Sequence, residues 1–480
     1  MRKIFFHFLI FVSGIIQAQT VTFQKVFGDW GSDWGLSVQQ TTDGGYIVGG
    51  YSDSFSSSDD IYLIKTDSNG DTLWTRVLGS PTTTEQAGSI QQTADGGFIM
   101  VGGYLNGGYG DVYLLKTNSS GNIQWTKIYV NPNKSEGGAS VKQTADGGYI
   151  IAGGSENNGG DVYVIKTNSN GDSTWTKNYG GTNVETGTSI QQTNDGGYIV
   201  SGYTKSFGAG LEDIYLVKTN SNGDTLWTKT YGGTANDAGY SVQQTFDGGY
   251  IIAGVTYSFD TVPDAYLIKT NPNGDTTWTK IIYNINSAGA KAFSVWQTTD
   301  GGYAFAGQHG YNGQWANMYL VKTNSNGDTL WTRSFGGTEY EDGRCLQQTS
   351  DGGFIIVGLT DSYGIGFATN IYLVKTDSLG NTSGPPVGVQ EQENQLPVAA
   401  AVAVYPNPFT TQATLVLPQE VDLNENPELR VYDMYGNETA RVKITAQRAL
   451  IQRDNLPAGM YFCKAIANET VIAAGKFVVQ

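Results

Sequence analysis

The chain has 480 residues, a formal net charge of −16, 65 glycines, 12% aromatic and only 15% charged residues. It is too long for one ordinary core, too aromatic for a disordered chain, and too acidic for a nucleic-acid or anionic-membrane binder. Its two cysteines, Cys345 and Cys463, lie far apart and exclude a disulfide framework.

Arg2 and Lys3 precede an apolar run from Ile4 to Ile16 and then Gln17-Ala18-Gln19. This pattern predicts a secretory signal peptide over residues 1–18, cleaved after Ala18. The run is short for a membrane anchor, and no later stretch is long and apolar enough to span. Loss of Arg2 and Lys3 takes the net charge of the secreted form to −18.

The phrase Gln-Thr-x-Asp-Gly-Gly-Tyr/Phe then returns seven times, with its Asp at Asp43, Asp95, Asp146, Asp195, Asp247, Asp300 and Asp351. The steps are 52, 51, 49, 52, 53 and 51 residues. A period near 50 with strand-like content predicts an all-β, seven-bladed β-propeller over residues 19–380, one blade per repeat. Each repeat holds four strand signals, seen first at Ser37–Thr41, Tyr46–Gly50, Asp60–Thr66 and Thr72–Arg76. The second and third are apolar on both faces, as expected for a sheet packed between two neighbours.

Asp-Gly-Gly joins strands one and two, and Asn/Ser-Gly joins strands three and four; both accept the positive φ of tight turns. These turns share one end of the blade. The other end carries the variable loops, which makes it the expected functional face.

The fourth-strand Trp recurs at Trp74, Trp125, Trp175, Trp227, Trp278 and Trp331, six copies for seven repeats. Ser383-Gly384-Pro385-Pro386 cannot supply the seventh. Phe23-Gln24-Lys25-Val26-Phe27-Gly28 matches the motif and lies one period before Trp74. It is expected to complete the last blade and remove the open edge.

Residues 381–404, with Gly-Pro-Pro and Gln-Glu-Gln-Glu-Asn-Gln, read as a linker. Residues 405–480 show short alternating strands that suit a small Ig-like β-sandwich. They contain Tyr405-Pro406-Asn407-Pro408-Phe409, Val431-Tyr432-Asp433-Met434-Tyr435-Gly436, Leu456-Pro457-Ala458-Gly459-Met460-Tyr461 and Gly475-Lys476-Phe477-Val478-Val479. In that order these words resemble the type A C-terminal sorting domain of the type IX secretion system of Bacteroidota-like bacteria. The resemblance implies a partnership with that export machinery, removal of the tail, and release or attachment at the outer cell surface. Tyr405, Pro406, Asn407, Pro408, Gly459, Tyr461, Gly475 and Lys476 would carry the sorting signal.

No catalytic motif stands out. The secreted form has one histidine, His309, without a Gly-x-Ser-x-Gly elbow, and it lacks the ligands of a His/Cys zinc site. Acids recur four residues before the first-strand Ser at Asp33, Glu85, Glu136, Glu185, Asp237 and Glu341, with Ala290 in the sixth repeat. They read either as caps on turn N–H groups or as an acidic ring for calcium or a cationic partner; no cofactor is required. The repeated Lys65, Lys116, Lys166, Lys218, Lys269, Lys322 and Lys375 read as structural partners of turn carboxylates.

Among the loop aromatics, Phe55, Phe207, Phe259 and Tyr363 recur in one phrase and suit loop packing. Tyr109, Tyr311 and Trp315 do not recur, and with His309 they are the candidate ligand contacts. The expected function is a secreted or surface binding propeller for a glycan or protein. A polysaccharide-degrading enzyme of glycosidase or endoglucanase type and a structural adhesion component are the alternatives.

Overall fold

The computed structural model describes residues 20–479 apart from 56–57, 81–82, 107–109, 131–134, 156–158, 261, 283–288, 311–315, 365–367, 389–399, 406, 418–426, 433–437, 445, 454–455 and 468–469. At 155, 387–388, 400–401, 403, 442, 460, 467 and 470–475 the backbone alone is described. Two compact units divide the chain, Met1–Gln390 and Glu391–Gln480.

The first unit is all-β and propeller-like, a succession of four-strand antiparallel modules. The first module runs Asp33–Gln40, Tyr46–Ser52, Asp60–Thr66 and Thr72–Leu78, each strand paired with the next. The same order repeats from Thr84, Glu136, Glu185, Asp237 and Ala290. A single pairing of Gly154 with Thr186 joins the third and fourth modules into one eight-strand sheet.

The last module has Glu341–Gln348, Phe354–Thr360 and Asn370–Thr376, and its fourth strand is Phe23–Phe27 from the other end of the chain. The register equates Phe23 with the missing Trp, since Phe23 opposes Lys375 as Trp74 opposes Lys65. Val387–Gly388 adds in parallel to the outer side of Phe23–Phe27, so pairing continues into the stretch expected to be linker.

The middle strands are buried throughout: Asp60–Thr66, Asp213–Thr219, Asp264–Thr270 and Asn370–Thr376 have no exposed position. Branched apolar side chains on both faces suit a sheet covered on both sides. The modules pack through one recurring contact. The fourth-strand aromatic of each meets the second-strand aromatic of the next, from Phe23–Tyr46 at 5.9 Å and Trp74–Phe98 at 6.0 Å to Trp331–Phe354 at 5.9 Å.

The third-to-fourth-strand turn needs glycine for two reasons. Gly70 has φ of +79°, and a Cβ there would sit 2.6 Å from the Phe23 ring.

The second unit pairs a five-strand sheet with a three-strand sheet. Its core gathers Val402, Phe409, Leu415, Leu429, Val431, Ile451, Tyr461 and Phe477. The strands Ala400–Ala401 and Ala403–Tyr405 belong to it, so its ordered pairing begins within the expected linker.

Candidate functional site

The first strands of all seven modules line one central cavity of about 340 Å³. Each strand has a β-bulge near its start, as between Gly35 and Ser37, and then runs toward the Asp-Gly-Gly turn. Three belts of hydrogen bonds tie these strands together.

In the first belt a strand Ser accepts the backbone N–H of the next module, as Ser37 does from Ile90 at 3.1 Å and Ser294 from Leu346 at 3.0 Å. Cys345 occupies the seventh Ser place, with Sγ 3.6 Å from Val38 O. It is half-buried beside the cavity, not the fully buried residue its size suggests.

In the second belt the last Gln of each first strand accepts a turn N–H from the preceding module at 2.8–2.9 Å: Gln92 from Thr42, Gln143 from Ala94, Gln192 from Ala145, Gln244 from Asn194, Gln297 from Phe246, Gln348 from Thr299 and Gln40 from Ser350. The belt returns from the last repeat to the first. The third belt uses the preceding Gln and is interrupted at Lys142 and Trp296.

At the loop end of the cavity the repeat breaks. The fourth position of the first strand is Leu36, Gly88, Ala139 or Thr188 in four modules, but Tyr240, Phe293 and Arg344 in the rest. The Tyr240 and Phe293 rings lie 5.2 Å apart. The Arg344 guanidinium sits 4.7 Å from the Phe293 centroid and 2.7 Å from Asp342. Asp342 is fully buried; its Oδ2 is 3.0 Å from the Tyr340 hydroxyl, which is 2.6 Å from Gln308 Oε1. Trp34 stacks on Tyr51 at 5.7 Å with the planes 9° apart.

Burial pushes the Asp342 carboxyl above its ordinary range, with Arg344 pulling the other way. Burial also opposes the Arg344 charge, but Asp342 more than restores it. Burial, and then the neighbouring Arg344, lowers Lys291. Burial raises Tyr240 to about 12. Arg344 Nε is buried with no hydrogen-bond partner among the described residues. Sequence reading missed this cluster because it looked for novelty in the loops. The available signal was an aromatic or charged residue at strand positions that are neither aromatic nor charged in the other repeats.

The acids at Asp33, Glu85, Glu136, Glu185, Asp237 and Glu341 open the first strands and are all buried. They hold loops. Glu185 accepts from Gly181 N at 2.8 Å, Thr204 Oγ1 at 2.6 Å and Ser206 N at 3.0 Å. Glu341 repeats this with Gly337, Thr360 and Ser362. Asp237 accepts from Gly233 N and Ser258 Oγ, Asp33 from Asp29 N and Ser54 Oγ, and Glu85 from Thr83 Oγ1. Among the described residues no group of three or more His, Cys, Asp or Glu is placed to hold a metal.

Between modules the third-strand acid joins in. A Cβ on Gly180 would lie 2.1 Å from Asp161 Oδ1 and 2.4 Å from Glu185 Oε2, so only glycine fits between the two carboxylates.

The repeated lysines pair with turn carboxylates in every module, from Lys65–Asp43 at 3.0 Å to Lys375–Asp351 at 2.9 Å. Phe55, Phe207, Phe259 and Tyr363 each pack on the third-strand Tyr of their own module. His309 lies at a strand end, Nε2 2.6 Å from Ser334 Oγ and its ring 4.5 Å from Tyr319; burial lowers its pKa. Tyr109, Tyr311 and Trp315 lie outside the described residues.

In the second unit the two ends of the sorting motif meet. Asn407 Oδ1 accepts Val478 N at 2.8 Å, and Phe409 N donates to Val478 O at 3.1 Å. Tyr461 is buried, stacks on Phe477 at 5.6 Å and donates to Pro457 O at 2.8 Å. Tyr405, Pro408 and Lys476 are exposed, Gly459 opposes Val479, and Gly475 opposes Cys463. Pro406 lies outside the described residues.

Residues 403–480 match the family described as the secretion system C-terminal sorting domain. The chain therefore carries a type IX export signal, meets that secretion machinery, and is secreted or displayed at the cell surface. Among the described residues no helix is long and apolar enough to cross a membrane. No curated protein matches the sequence.

Similar solved structures include Sqt1 from Chaetomium thermophilum, at 11% identity and TM-score 0.43 over 76% of this chain and 86% of that one. PorZ, a surface component of the type IX secretion system of Porphyromonas gingivalis, aligns at 11% identity and TM-score 0.35 over 91% and 69%. The extracellular domain of the two-component system BT3049 from B. thetaiotaomicron aligns at 12% identity and TM-score 0.41, over 96% of this chain and 58% of that one. None bears on what this chain binds.

Proposed function

We propose that this is an exported seven-bladed propeller, carried by an Ig-like sorting sandwich, that binds a glycan or protein ligand at the loop end of its central cavity. The cluster of Tyr240, Phe293, Arg344 and Asp342 carries the reading. A repeat needs nothing bulky at these positions, as Gly88 and Ala139 demonstrate. Burying an ion pair there costs desolvation that packing alone does not require. Two aromatic rings tilted 53° to each other beside an oriented guanidinium suit contact with a sugar ring, or anchoring a side chain of a partner.

The enzymatic alternative needs two carboxylates flanking a bond. At this mouth the described carboxylate is Asp342, already held by Arg344 and Tyr340. The acidic ring, with its loop hydrogen bonds, is read as structural.

The test is a glycan array and surface pull-down with the secreted protein, alongside reducing-end release. Binding that falls at least about tenfold in Phe293→Ala and Arg344→Met supports the reading. Binding indifferent to both variants, or cleavage of a bound glycan, overturns it.

A further inference from the structure

The turn end of the same cavity has a different chemistry. The seventh position of the first strands is Gln39, Gln91, Lys142, Gln191, Gln243, Trp296 and Gln347. Each of the five glutamines accepts, through Oε1, the backbone N–H of the next module: Gln39 from Gln92 at 2.6 Å, Gln91 from Gln143 at 2.6 Å, Gln191 from Gln244 at 2.8 Å, Gln243 from Gln297 at 2.6 Å and Gln347 from Gln40 at 2.7 Å. A backbone N–H can only donate, so the amide oxygen must face it and the NH₂ must turn away. No acceptor meets these five NH₂ groups among the described residues, and all five side chains border the cavity.

Lys142 stands in this ring between Gln91 and Gln191. It breaks the belt, because lysine has no acceptor for the Gln192 N–H. No described carboxylate pairs with it, and no Asp or Glu lines the cavity. Burial lowers its pKa. Lys142 is half-buried at the cavity wall, and an ammonium there without a counter-ion loses part of its hydration uncompensated. The nearby turn aspartates do not supply one, since each is held by the third-strand lysine of its own module.

We propose that the turn end of the central cavity binds a small organic carboxylate, with Lys142 as its counter-ion and the NH₂ groups of Gln91 and Gln191 as flanking donors. One ammonium matches a monoanion. About 340 Å³ holds a molecule of monosaccharide size rather than a bare ion. Gln39 and Gln347 also line a shallower pocket beside Thr42, Gly44 and Ser350, which gives this end an approach from the turn face. Both ends line one cavity, but this proposal rests on Lys142 and the glutamine belt and not on the loop-end residues.

The test is calorimetry of the full secreted chain with sodium D-glucuronate, D-glucose, inorganic phosphate and chloride at low ionic strength. Glucuronate is expected to bind, glucose not to, and added salt to weaken binding. Lys142→Gln restores the belt acceptor for Gln192 and so keeps the fold; it should weaken glucuronate binding at least about tenfold while raising Tm. Phe293→Ala, which removes a ring of the loop-end cluster, should leave glucuronate binding in place, so the two sites fail separately. Glucuronate binding unchanged in Lys142→Gln, no heat with glucuronate, or equal affinity for glucose, chloride or phosphate would each overturn the proposal.

Discussion

Ser350 donates its backbone N–H to Gln40 Oε1 at 2.8 Å, joining positions 310 residues apart. The Gln40 N–H in turn donates to Gln347 Oε1. With Phe23–Phe27 as fourth strand of the last module, the chain ends of the repeat array are sewn together twice.

Opening that seam is expected to be costly. Phe27 is fully buried, so Phe27→Ala should cost ~3–5 kcal/mol. Gln40→Ala, which deletes the side-chain bonds to Ser350 N and Gly44 O, should cost only ~1 kcal/mol. Urea unfolding of both variants checks the ranking. The Phe27 variant should also aggregate, because a frayed Phe23–Phe27 bares the edge of Asn370–Thr376.

The lysine–aspartate turns predict acid sensitivity. Burial works against the Asp95 carboxylate, but hydrogen bonds from Thr93, Lys116 and the Gly97 N–H outweigh it and set its pKa at about 2; Asp146 and Asp195 behave alike. A depressed folded pKa gives stability that is present above the ordinary value of 3.8 and lost as pH falls through about 2. Circular dichroism should show cooperative acid unfolding in that window. Asp95→Asn should destabilise the protein at neutral pH by only ~1 kcal/mol, because the Asp95 side chain is 56% exposed and solvent screens the pair.

Asp33 and Asp264 act in the opposite sense. Burial raises each to about 6, against hydrogen bonds to Asp33 and with added repulsion from Asp260 at Asp264. A raised carboxyl pKa gives stability fully present below 3.8 and lost as pH rises through about 6. Stability should therefore peak near pH 4 and decline from there to about pH 6. Asp33→Asn should stabilise at pH 7 by up to ~3 kcal/mol, two pKa units at about 1.4 kcal/mol each. Tm against pH for this variant should be flatter from 4 to 6; an unchanged slope would show that Asp33 does not titrate there.

The tail predicts a sorting phenotype. Asn407→Ala removes the acceptor of Val478 N, which fastens the first sorting word to the last strand. Fractionation should find the variant retained before the outer surface, and a chain ending before residue 403 retained completely. Normal surface levels of the truncated chain would refute the role of the tail.

Much of this architecture was legible in sequence because it repeats. The Asp-Gly-Gly turns, the seven lysines and Phe23 as the missing Trp are local patterns, and a pattern that recurs every 50 residues or so fixes its own strand spacing. The pairing of each lysine with its turn aspartate followed from both standing at the same end of a hairpin. The loop-end cluster was not legible. Tyr240, Phe293 and Arg344 lie about 50 residues apart, and each alone is an unremarked variation in a strand.

The amino-acid sequence by itself determined the all-β repeat, its period, its turns and the export tail, because these depend on short-range conformational preference and on matching words. Only the tertiary structure decided which variations share a wall. Bringing seven first strands round one cavity places residues from distant repeats in contact, turns five glutamine NH₂ groups away from the N–H groups their oxygens accept, and leaves Lys142 among them without a carboxylate. Those relationships arise from packing between modules, where no local signal in the chain records them.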